Sequence, residues 1–151
     1  LLAAGALIQL GLTPGAADPT VSDARLGDAR TVAQHWLAEI DAGKLDSSYE
    51  EGCLAFQKKV SKQQWVTVLQ ALRPTIGTMT SRHEIKYQYK PDGFEGLDGE
   101  IILLMYDTVF SKLGETEEIV ELKREDGQWR GAGYNVQPQA QAQPQTAPSP
   151  Q

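Results

Sequence analysis

The sequence has one cysteine, Cys53, in 151 residues. That excludes an intrachain disulfide and any zinc site built on several thiolates. Its neighbours Gly52, Leu54, Ala55 and Phe56 are mostly apolar, which predicts a buried structural thiol rather than a reactive one. Basic residues are few against a net charge of -6, and no Lys/Arg block is interleaved with aromatics. Nucleic acid is therefore not an expected partner. Histidine is scarce as well. His35 and Glu39 have the i, i+4 spacing of two metal ligands, but no third ligand accompanies them, so they read as a solvated helix edge and no metal is expected. The Gly-rich stretch Pro91–Gly99 (PDGFEGLDG) lacks the glycine spacing and the following helix of a phosphate cradle. It reads as a turn, and no cofactor is implied.

A long apolar run is found at the start, Leu1–Ala17, and it carries no charge. It is too short to read as a membrane span. It fits the apolar core and small-residue end of a secretory signal, with Gly15 and Ala17 preceding a cut before Asp18. No Leu-x-x-Cys lipid-attachment motif follows. The expected location is periplasmic or secreted, with no stable membrane span once the segment is removed.

The clearest local signal is Asp126-Gly127 between two alternating runs, which predicts a two-residue type I′ hairpin. The turn sets Glu125 opposite Gln128, Arg124 opposite Trp129, Leu122 opposite Gly131 and Val120 opposite Gly133. One face then collects Val120, Leu122, Trp129 and the two glycines and should be covered. The other collects Ile119, Glu121, Lys123, Arg130, Ala132 and Tyr134 and should be solvated. Gly131 and Gly133 weaken a strand, so something must approach the backbone there or the sheet must bend. Ile101–Phe110 is apolar on both phases, as expected for a central strand, with Tyr106 and Phe110 facing the helices and Asp107 on the wetter side. Met79–Tyr89 alternates: Met79, Ser81, His83, Ile85, Tyr87 and Tyr89 form the expected inner phase, Arg82, Glu84, Lys86 and Gln88 the outer one.

Three helices precede the strands. The first is capped by Asp28 after a linker over 18–27, buries Ala29, Val32, Ala33, Trp36, Leu37 and Ile40, and ends at Gly43. A short second one lies within Lys44–Phe56, capped by Asp46 or Ser47 and pointing Tyr49, Cys53 and Phe56 inward. Ser61-Lys62-Gln63-Gln64 is a capping box that opens the third, which buries Trp65, Val68, Leu69 and Leu72 and stops at Pro74. Trp36 and Trp65 read as core residues. Residues 137–151 (QPQAQAQPQTAPSPQ) are Pro/Gln/Ala low complexity and read as a disordered tail, leaving 28–136 as the folded domain.

The fold class is α+β: three N-terminal helices packed on a curved four-stranded antiparallel sheet. The order of elements resembles the cystatin-like/NTF2-like cone. The stretches ARTVAQHWLAEIDAGKLDSSYEEG (Ala29–Gly52), VSKQQWVTVLQALRPTIGTMTSR (Val60–Arg82) and EEIVELKREDGQWRGAGY (Glu117–Tyr134) resemble the DUF4019 family of exported bacterial proteins. That resemblance implies the fold but no catalytic residues. The leading expectation is a non-catalytic binding or interaction module of the cell envelope, taking a small molecule or an envelope protein. Its pocket would lie between sheet and helices, lined by His83, Tyr87 and Tyr106 and left open only if Trp36, Trp65 and Trp129 do not fill it. An alternative, by fold analogy, is an acid–base isomerase or hydratase with His83 as base and Tyr106 or Tyr87 as hydrogen-bond donor. A structural or assembly role through the tail or a sheet edge is the third reading. The charges at Glu121, Lys123 and Arg130 favour a monomer.

Overall fold

The computed structural model describes residues 19–139. The expected signal segment and the tail from residue 140 onward lie outside them. Four helices, α1 (Asp23–Asp41), α2 (Leu45–Glu50), α3 (Leu54–Lys59) and α4 (Lys62–Ile76), precede four strands, β1 (Met79–Lys90), β2 (Ile101–Phe110), β3 (Gly114–Glu125) and β4 (Gln128–Pro138). The strands form one antiparallel sheet in the order β1-β2-β3-β4.

The expected linker is partly helical. Ser22, not Asp28, caps α1 by accepting from the Arg25 N–H at 3.3 Å, and Leu26 joins the buried stripe. The stripe of Ala29, Ala33, Trp36, Leu37 and Ile40 is buried as the periodicity requires. The helix ends as expected. Gly43 sits at φ 76, its N–H donates to the Ile40 carbonyl, and the Lys44 N–H donates to that of Glu39. This is the double hydrogen bond that closes a helix on a left-handed residue. The expected second helix is two helices broken at Gly52-Cys53. Lys44 precedes α2 without a side-chain cap, and the Cys53 sulfur accepts from the Phe56 N–H at 3.3 Å to start α3. Ser61 and Gln64 make the capping box. Pro74 does not stop α4, which runs on to Ile76; Pro74 stands in the exposed last turn, and Gly77 at φ 83 ends the helix.

Trp36 and Trp65 stack 5.5 Å apart, 9° from parallel, with the Phe56 ring edge-on to both. Such pairs contribute about 0.5–1.5 kcal/mol beyond the area they bury. Both indoles need an acceptor, and the buried Ser48 supplies two. Trp36 donates to its carbonyl at 2.7 Å and Trp65 to its hydroxyl at 2.9 Å. These rings fill the centre of the space between the layers.

The β3–β4 turn has Asp126 at φ 51 and Gly127 at φ 77, the positive pair that a type I′ turn demands. The expected pairing holds as far as Leu122 opposite Gly131. A bulge then places Glu121 opposite Gly133 and Val120 opposite Tyr134. One extra residue reverses the alternation, so Tyr134 turns to the helix side and Gly133 to the other. Gly131 is the point of close approach: a Cβ there would lie 2.5 Å from the Trp36 ring. The Gly131 carbonyl also accepts from the Cys53 N–H at 2.7 Å, which covers part of the β4 edge.

The expected β1 phase holds at Met79, Tyr87 and Tyr89 but is reversed between them, over Ser81–Glu84. Arg82 opposes Thr108, Glu84 opposes Tyr106, and after a bulge at Ile85 Tyr87 opposes Leu104. Tyr106 and Leu104 face the helices, so Arg82 and Glu84 do too. His83 opposes Asp107 on the far side and is exposed. The reversal is driven by ion pairs with α1, which compensate for facing two charges inward. β4 continues through Gln137 and Pro138, where the tail was expected to begin.

Candidate functional site

Five polar side chains meet on the helix side of the sheet, near the C-terminal end of α1. Glu118, on the same phase of β3 as Val120 and Leu122, is 0% exposed. Its Oε1 accepts from Arg82 Nε at 2.7 Å and from the Thr108 hydroxyl at 2.5 Å; its Oε2 accepts from Arg82 Nη2 at 3.1 Å and from the Tyr134 hydroxyl. The other side of the Arg82 guanidinium forks onto Asp41, at 2.7 and 3.2 Å. Burial by itself would lower the Arg82 pKa, but the hydrogen bonds and charges of Asp41 and Glu118 raise it above its ordinary value. Burial, then the Glu118 charge and hydrogen bond, holds the Tyr134 phenol far above its ordinary range. A carboxylate with four donors has no lone pair left to take a substrate proton. The cluster joins all four strands to α1 and fixes how the helix lies on the sheet.

Over this cluster opens a cleft of about 110 Å³. Leu69, Leu72, Ile76, Met79 and Phe110 line it, with Asp41 and Tyr134 at its polar end. The rim at Arg73 is fixed because its guanidinium donates to the Ile40 and Asp41 carbonyls in the last turn of α1. The site exists because α4 outruns Pro74 and because the β4 bulge brings Tyr134 inward.

The sequence-predicted site residues are not gathered in one place. Tyr106 is buried on the helix side, with a hydroxyl that has no hydrogen-bond partner, and burial pushes its pKa up to about 12. Tyr87 is 40% exposed on the same side, under the Arg30 guanidinium at 5.8 Å. Arg30 also pairs with Glu84 at 2.7 Å, and that hydrogen bond raises its pKa. His83 lies on the opposite face from Tyr106, so the two cannot meet one substrate atom. The space expected as a pocket is occupied by Trp36 and Trp65, 1% and 2% exposed. His35 is a surface residue 3.1 Å from Glu51, and among the described residues no group of three His, Cys, Asp or Glu is placed to hold a metal ion. Cys53 is fully buried, and burial pushes its thiol up, away from the reactive thiolate.

Asp41, Arg82, Glu118 and Tyr134 were missed as a site. One signal was available for Glu118: a carboxylate in phase with Thr116, Val120 and Leu122 on a strand with one covered face must be buried and paired. No helix of the described residues is long and apolar enough to cross a membrane.

The model of a family described as "Protein of unknown function (DUF4019)" matches residues 32–134. No curated protein matches the chain.

Proposed function

The chain belongs to the DUF4019 family, and from that premise we propose that it is a non-catalytic binding module of the cell envelope, periplasmic or secreted, with a cystatin-like/NTF2-like fold. The cleft over Tyr134 receives an apolar side chain of an envelope protein or a small apolar molecule. One observation carries this reading: the cleft has apolar walls over a polar base whose hydrogen bonds are already made within the protein. An apolar group entering there displaces water without leaving a buried donor or acceptor unpaired. The small volume limits the guest to one ring or one branched chain. The packing of α1 against β2, β3 and β4 of a four-strand meander supports the fold assignment.

The test is a titration of the 15N-labelled full chain with indole and, separately, with isobutanol. Saturable shifts confined to Leu72, Ile76, Met79 and Phe110, and abolished in Leu72→Trp, are expected. No saturable shifts at these residues, or shifts that survive Leu72→Trp, would remove the cleft as the binding site.

A further inference from the structure

On the sheet face turned away from the helices, β2 is buried as its unbroken apolar run predicts, with Ile101, Leu103 and Met105 0%, 1% and 3% exposed, while the β3–β4 part of that face was expected to be solvated. The loop over Pro91–Gly99 folds across it. Leu97 of the loop is 7% exposed, Lys123 Nζ donates to the Asp98 carbonyl, and Lys59 Nζ reaches the Glu95 carbonyl at 3.5 Å. Glu95 takes a positive φ of 44, unusual for a residue with a side chain.

Glu121 stands on this face. It opposes Leu103 on β2 and Gly133 on β4. A Cβ at Gly133 would come 3.0 Å from Glu121 Oε2, so the carboxyl group lies against the bare backbone of β4. Its Oε1 is buried and has no hydrogen-bond partner. The loop presents Glu95 to it, a like charge, and the end of α3 presents Lys59. On its own strand Lys123 is engaged with Asp98, and Arg130 of β4 opposes Lys123. Neither β2 nor β4 places a charge directly opposite. Burial above all, then Glu95, pushes the Glu121 pKa up from 4.5 to about 7, against the pull of Lys59.

We propose that Glu121 is a pH-sensitive latch: as the neutral acid it lets the 91–99 loop close on the sheet, and as the carboxylate it drives the loop off and uncovers Leu97 and Leu103. The step is a proton loss to solvent and nothing else. It places charge on a half-buried carboxylate whose Oε1 has no donor inside the protein, and lifting the loop lets water hydrate that oxygen. The fastenings it works against are weak, two lysine–carbonyl hydrogen bonds on the exposed surface and the burial of one leucine, which puts the loop among the segments that open below the global unfolding free energy.

The experiment is amide hydrogen exchange of the full chain across residues 93–98, expressed as protection factors so that the intrinsic pH dependence of exchange cancels. Between pH 5.5 and 8.5 protection is expected to fall by up to about thirty-fold, from a pKa of 4.5 in the open loop and about 7 in the closed one. Protection in β2 should hold, and Glu121→Gln should flatten the profile. A direct 13C titration of the Glu121 carboxyl covers the case in which the variant does not fold. A midpoint near 4.5, or the same fall in protection in Glu121→Gln, would overturn the proposal. Glu95→Gln removes the like charge and should lower the Glu121 midpoint; an unchanged midpoint would remove Glu95 from the mechanism.

Discussion

Replacing Gly131 with Ala is expected to destabilise the domain by about 1–2 kcal/mol, although β-strands generally favour Ala over Gly. The added Cβ would lie 2.5, 2.6 and 2.8 Å from three atoms of the Trp36 ring. Carbon atoms rest about 3.5–4.0 Å apart, so the ring must retreat by roughly 1 Å. It has little room to do so. Trp65 stacks on it at 5.5 Å, Phe56 meets it edge-on at 6.2 Å, and its Nε1 is tied to the Ser48 carbonyl at 2.7 Å. Overpacking of this kind costs about 1–3 kcal/mol. The lower entropy of the unfolded chain returns about 0.4–1 kcal/mol, because Gly131 does not have the positive φ that would strain an alanine. For a domain of this size the net loss corresponds to a Tm lower by about 4–10 °C. Urea unfolding followed by far-UV and near-UV circular dichroism measures it, the near-UV signal reporting the tryptophan stack. Trp36→Phe shrinks the ring, so the alanine should cost less in that background, with a coupling of about 1 kcal/mol. A Gly131→Ala protein as stable as the parent, or strict additivity with Trp36→Phe, would refute the close-approach argument.

Three other outcomes are expected. Glu118→Gln sets an amide N–H₂ against donors from Arg82, Thr108 or Tyr134 and should cost about 3 kcal/mol in urea unfolding, since buried donors lose their acceptor and Arg82 keeps only Asp41 as a counter-charge; a loss below about 0.5 kcal/mol, the scale of an ordinary surface change, would show the network to be solvated. Tyr106→Phe removes a buried hydroxyl without a partner and should leave stability unchanged or raise it by up to about 1 kcal/mol, whereas a clear loss would reveal a partner for that oxygen. Because the folded pKa of Glu121 is raised from 4.5 to about 7, its contribution favours the protein while protonated, declines as pH rises from 4.5 to 7 and is level above that. Relative to the parent, Glu121→Gln should therefore gain stability across that window, by about 1–2 kcal/mol after discounting the part of the side chain that water reaches, and a constant difference from pH 4 to 8 would refute it.

The features legible in the sequence are those fixed within a few residues. Asp126-Gly127 set the β3–β4 turn because that turn needs two positive φ angles. Ser61 with Gln64 set the start of α4, and Gly43 the end of α1, because each satisfies orphan backbone groups locally. The buried stripe of α1 followed from the 3.6-residue period, and the double burial of β2 from its unbroken apolar run. The candidate site followed from none of these. Whether β1 shows Arg82 or His83 to the helices depends on Asp41 and Glu118, far off in the chain, which repay the cost of turning a charge inward. Whether Tyr134 points in or out depends on one inserted residue opposite β3, and alternation gives no sign of an insertion. The burial of Glu121 depends on a loop folding over a face that its own strand marks as polar. Propensity and period report the chain to itself. The side on which a charge is affordable is decided by what packs against it, and only the tertiary structure supplies that partner.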